Sequence, residues 1–136
     1  MQASPELTFL TAVLARLRAT SVVNNAVRGR IFDDVPDEGD RKPPWIHAGP
    51  MNAQRVEMGC SAAWDLRLRL YVESAAFDRD EAWTIARAAM RALEGQEPPA
   101  ADGFTDRLTI RQSGDVIDPL AVKSVFFDVA TRLIDV

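Results

Sequence analysis

The 136-residue chain is poor in the residue types that most often announce a chemistry: one cysteine, one histidine, and seven glycines scattered along its length. With Cys60 as the sole thiol, neither an internal disulfide framework nor a thiolate-rich metal site can form. No stretch approaches the roughly 20 apolar residues that cross a bilayer. The first residues lack a signal-peptide pattern, so the expectation is a chain made and kept in a cytoplasm, with no membrane partner. The glycines compose neither a phosphate-cradling loop nor a dinucleotide fingerprint, and no zinc spacing occurs, so no cofactor is expected. A basic excess is missing too. The net charge is −4, with arginines interspersed among acids, unlike the basic face of a dedicated DNA or RNA binder.

What remains is an ordinary globular composition, 47% apolar and 26% charged, at a length that suits one domain over residues 1–136. Ser4, Pro5 and Glu6 make a helix start, and Leu7, Leu10, Val13, Leu14 and Leu17 recur at three- and four-residue spacing. Together they predict an amphipathic helix over 5–19. A short second helix follows, capped by Ser21, stopped by Gly29 and burying Val22, Val23 and Val27. Arg30-Ile31-Phe32 starts a short strand, and residues 36–44 form an exposed loop rich in turn residues. Extended structure resumes at Pro44-Trp45-Ile46-His47, while residues 51–61 are weakly patterned and fit a strand end, a bulge or a loop.

The clearest strand is 62–74, where Trp64, Leu66, Leu68, Leu70 and Val72 alternate with Asp65, Arg67, Arg69, Tyr71 and Glu73. Period two means one face buried and one polar, the signature of an antiparallel sheet. A second long helix runs from an N-cap at Asp78, with Glu81 at capping-box spacing, to Gly95; Ala82, Ile85, Ala86, Ala89, Met90 and Leu93 form its inner stripe. Two strands around Asp118-Pro119 complete the chain. In the last, Val125, Phe127, Val129, Thr131 and Leu133 alternate with Phe126, Asp128, Ala130 and Arg132. The expected fold is α+β: an antiparallel sheet of about four to five strands with two main helices packed on one face.

Candidate chemistry is sparse. The acids Asp33, Asp34, Asp37, Glu38 and Asp40 fail the spacing of a calcium loop, and Arg41 and Lys42 offset two of them. His47 could serve as a general base with a loop aspartate, but it has no nucleophile motif beside it, and a lone strand histidine is more often structural. Cys60, between Gly59 and Ser61, matches no nucleophile signature. No catalytic residue and no metal ligand is assigned. The polar face of the 62–74 strand, with Asp65, Arg67 and Arg69, is of mixed sign and suits solvent or a protein interface. Phe126 and Tyr71, on nominally outer faces, suggest apolar surface that either meets a partner or packs under a loop.

The order of helix, "GRIFDDVP", "PPWIHAG", alternating strand, "DRDEAWTIARAAMRAL" and "VKSVFFDVATRL" resembles tail-terminator (tail-completion) proteins of long-tailed bacteriophages and gene transfer agents. The resemblance implies a non-enzymatic virion protein assembled in a bacterial cytoplasm. It implies a homo-oligomeric ring, commonly hexameric, that caps the tail tube protein, halts tube growth and meets a head-side connector or stopper. DNA passes through its lumen without specific binding. On that reading the interface candidates are Asp33, Asp37, Glu38, Asp40, Arg41 and Lys42 in the loop, together with Asp65, Arg67, Arg69 and Phe126 on the sheet. The 36–44 loop, and residues 51–59 with it, would reach axially to tube or connector. Two alternatives stand beside it: another head–tail joining subunit (a stopper or adaptor), or a small enzyme using His47 and loop carboxylates.

Overall fold

A computed structural model describes residues 4–40, 42–59, 61–74, 79–98, 106–116 and 123–135. Helix α1 is Pro5–Ala19, capped by the Ser4 hydroxyl, which accepts the Leu7 amide at 3.2 Å. Its buried stripe is Phe9, Val13, Leu14 and Leu17. Leu7, expected in that stripe, is instead exposed, and Phe9 fills the inward position. Helix α2, Ser21–Ala26, buries Val23 and leaves Val22 outside, and Thr20 occupies its cap without a side-chain bond. The chain then reverses through Arg28 and Gly29, both at positive φ, into strand β1, Ile31–Phe32.

Residues 33–40 and 42–44 belong to the loop, with one 3₁₀ turn at Glu38–Asp40. Strand β2 runs Trp45–Met58 and pairs along its length with β3, Ser61–Ser74, so the weakly patterned segment after His47 is the outgoing arm of a long hairpin. The register slips between Ala48 and Met51, which places a bulge at Gly49-Pro50. There a side chain has no room: a Cβ on Gly49 would collide with the Tyr71 ring and lie 3.3 Å from the Arg69 carbonyl.

Helix α3, Asp80–Leu93, shows the expected stripe of Ala82, Ile85, Ala86, Ala89, Met90 and Leu93, all buried. It begins after Arg79. The expected cap Asp78 lies outside the described residues, as do Cys60, Arg41 and Asp118-Pro119. Glu81 accepts the Ser74 hydroxyl at 2.6 Å, which ties the helix start to the end of β3. Gly95 at φ +79° ends the helix turn. Strands β4, Thr109–Val116, and β5, Lys123–Asp135, close the sheet.

The strand order is β1-β2-β3-β5-β4. Every pairing is antiparallel except β1 with β2, so the sheet is mixed where a fully antiparallel one was expected. A two-residue strand carries no periodicity from which its direction could be read. The core lies between the inner sheet face (Leu66, Leu68, Leu70, Val72, Phe127, Val129) and all three helices. Among the described residues, no helix lies over the other sheet face. Among the described residues, no helix is long and apolar enough to cross a membrane.

Candidate assembly surface

Period two sends every second residue of β3 and β5 to the uncovered face, and the register sets which of them meet. Arg69 lies opposite Asp128, Arg67 opposite Ala130, Asp65 opposite Arg132, Tyr71 opposite Phe126, and Glu73 opposite Ser124. On β2, His47 faces Tyr71 and Asn52 faces Arg67. The outer face therefore carries cross-strand polar pairs beside one aromatic pair, Tyr71 with Phe126.

Asp128 is its deepest charge, with a side chain 3% exposed. Arg69 grips it in a fork, donating from Nε at 2.8 Å and Nη2 at 3.1 Å, and Arg67 Nε lies 3.2 Å from the same carboxylate. The Arg69 guanidinium also lies 4.1 Å over the Phe126 ring. Its hydrogen bonds to Asp128, aided by the carboxylate's charge and opposed by burial, raise the Arg69 pKa above the usual arginine value. Phe126 is half-buried in this arrangement, and it also lies close to Gly114, where a Cβ would come to 3.0 Å from the ring. Arg132 donates to Asp65 from Nε at 2.7 Å and Nη2 at 3.3 Å. That hydrogen bonding is the main reason the Asp65 carboxyl is held below its ordinary range and the Arg132 guanidinium above it; burial opposes both, and Arg111 adds a favourable field at Asp65.

His47 is built into the sheet. Its ring stacks on Tyr71 at 5.1 Å between centroids, Nδ1 lies 3.3 Å from the Ala48 carbonyl, and Nε2 lies 3.4 Å from Glu73 Oε1. Glu73 also accepts the Ser124 hydroxyl at 3.1 Å. The structure thus joins His47 to Glu73 and to none of the loop carboxylates among the described residues. It also shows no group of three or more His, Cys, Asp or Glu among them that could hold a metal ion.

The loop candidates stand apart. Asp33, Asp34, Asp37, Glu38 and Lys42 are exposed, and Asp40 closes the 3₁₀ turn. The loop returns to the sheet at Trp45, which pairs with Glu73, whereas Asp65 lies eight residues back along β3. At about 3.4 Å per residue, that is roughly 27 Å. At this far end the outer face opens into a groove of about 310 Å³ lined by Asn52, Gln54, Asp65, Arg67, Asp106, Arg107, Thr109, Arg111 and Arg132. Sequence reasoning missed the groove, Asp128 and Arg132 as site residues. The available signal for Asp128 was an acid set among apolar residues in "FFDVA", on the strand that must face two arginines.

Comparison with known proteins follows the same geometry. No curated protein matches the chain. Among solved structures, a chain of the virion of a native gene transfer agent particle superposes with a TM-score of 0.83 at 19% identity, covering 98% of this chain and 100% of that one. The gp17 protein of bacteriophage SPP1 superposes with a TM-score of 0.61 at 15% identity, covering 93% and 88%. At such identities these likenesses concern the fold. Family membership rests on the sequence, because residues 11–134 match the family described as tail completion protein gp17. The chain belongs to the tail completion protein gp17 family, and its role is that of a structural protein in completing the tail of a phage-type particle.

Proposed function

We propose that the chain is a tail terminator: copies close into a ring, commonly of six, that caps the tail tube, stops its polymerisation and joins it to the head-side connector. The observation that carries this reading is the match to the tail completion family over residues 11–134. The fold shared with a gene transfer agent virion chain over nearly the full length supports it. The mechanism is association without chemistry. A ring needs a heterologous contact, in which one surface of each copy meets a different surface of the next. Among its described residues this chain offers a polar sheet face with no helix over it, a β4 that pairs only with β5, and a β2 that beyond its two-residue pairing with β1 has no strand neighbour on that side. DNA passes through the lumen without specific contact, in keeping with an acidic net charge, since dense phosphate contacts would retard it.

The test is mass and shape of the full chain alone and with purified tail tubes. Rings seated on tube ends, and overlong tubes when the chain is withheld, are the expected result. A monomer that never binds tubes would count against the proposal. Binding to the connector without any effect on tube length would identify a stopper or adaptor instead.

A further inference from the structure

The arginine-lined groove and the acidic loop lie at opposite ends of one subunit and carry opposite charge. Four arginines, Arg67, Arg107, Arg111 and Arg132, line the groove beside two aspartates, Asp65 and Asp106, while Asp128 and Glu97 outside that lining pair with two of the arginines. Three of the arginines are committed within the subunit: Arg67 to Asp128, Arg107 to Glu97 and Arg132 to Asp65. Arg111 is exposed and reaches Asp65 only through its longer-range field, with no carboxylate within ion-pair distance among the described residues. The loop shows the reverse imbalance, five carboxylates against Arg41 and Lys42 in residues 33–42. No residue of the loop lines the groove of its own chain.

We propose that the acidic loop of one copy seats in the arginine-lined groove of a second copy, with Asp37 and Glu38 facing Arg107 and Arg111. This rests on the ring reading and supplies its contact: two unlike surfaces at opposite ends of the subunit make a head-to-tail interface by construction. The groove's polar lining and modest volume suit a turn carrying carboxylates, and the 3₁₀ turn at Glu38–Asp40 presents one. Charge of this kind sets orientation and encounter rate more than affinity, so the contact directs copies into one register while strand edges add the buried area.

The experiment is a charge swap in the full-length chain. The groove variant is R107E with R111E, the loop variant is D37K with E38K, and the third variant combines them. Arg107 and Arg111 are exposed and neither hydrogen-bonds Asp128 or Asp65, so their replacement spares the direct bonds of those clusters, and circular dichroism verifies each fold. Self-association is read by sedimentation velocity at low and high salt, and tube capping by electron microscopy. Each one-sided reversal should weaken self-association about tenfold or more at low salt, less at high salt, with most of the loss restored in the combined variant. If the native chain forms rings and the one-sided variants do so equally well, the proposal is overturned while the terminator reading stands. If only the loop variant fails to cap tubes and neither variant changes self-association, the loop binds tube or connector and the proposal is likewise overturned. If the native chain forms no ring even on tubes, the terminator reading itself falls.

Discussion

Removing Arg69 should damage the fold far more than removing its neighbour Arg67, although both touch the same carboxylate. Arg69 gives Asp128 two charge-assisted hydrogen bonds and covers Phe126, with a side chain 35% exposed; Arg67 gives one contact and is 45% exposed. A hydrogen bond to a charged group contributes about 1.5–3 kcal/mol where solvent is excluded, and partial exposure here reduces that. The cation–π contact adds about 0.5–1 kcal/mol. Arg69→Ala also strands a carboxylate that is 3% exposed with a single partner. A loss of about 2–4 kcal/mol follows for Arg69→Ala and about 0.5–1 kcal/mol for Arg67→Ala. Asp128→Asn, which keeps the shape and discards the charge, should cost about 1–2 kcal/mol. Urea denaturation reads these directly, and for a domain of this size each kcal/mol corresponds to about 3–5 °C in Tm. Arg69→Ala combined with Asp128→Asn should cost less than the sum of the two by about 1 kcal/mol or more. Equal losses for Arg69→Ala and Arg67→Ala, or strict additivity in that cycle, would refute the assignment of Arg69 as the main holder of Asp128.

Two further perturbations probe the same face. Gly49→Ala should destabilise by about 1–3 kcal/mol, since the new methyl meets the Tyr71 ring and the Arg69 carbonyl, while Gly39→Ala, with nothing within 4 Å, serves as its control. Indistinguishable melting of the two would disprove the close approach. For Asp65, a folded pKa below its unfolded value means the pair's stabilisation is present above the ordinary carboxylate range and is lost as pH falls through the folded value. The stability gap between the native chain and Asp65→Asn should therefore be flat above about pH 5 and shrink below about pH 4. A gap that widens on acidification would contradict the pairing.

Residues facing two different environments were the ones readable from sequence. In β3 and β5 one side meets the helices and the other carries mostly polar cross-strand neighbours, so alternation is written plainly from Trp64 to Val72 and from Val125 to Leu133. Helix α3 likewise lies on the sheet and shows its stripe. The β2 arm was obscure for the same reason inverted: Asn52, Ala53, Gln54 and Arg55 are all exposed, so neither side selects apolar residues, and the bulge at Gly49-Pro50 breaks the phase. Direction of pairing at β1 depends on where a twelve-residue connection brings the chain back, which local composition does not encode. The loop's charge was legible; the groove was not. Its lining comes from β2, β3, β4, β5 and the segment before β4, and only the register brings those side chains together.

Among the described residues strand β4 pairs on one side only, with β5, yet side chains of α3 and of the residues that cap it hold the strand at both ends. Near its start the Ile110 amide donates to Glu94 Oε2 at 2.6 Å, and near its finish Asp115 accepts from Trp83 Nε1 at 2.6 Å and from Arg79 Nε at 3.0 Å. The helix clasps the strand as two pins hold a hinge leaf. Release of β4 therefore requires both pins to open, which makes helix and strand one cooperative unit in native-state fluctuations. The amide of Ile110 then exchanges with solvent on the timescale of α3 and not on that of a fraying edge. A margin of the sheet that pairs on one side is in this way held in place before any neighbour arrives.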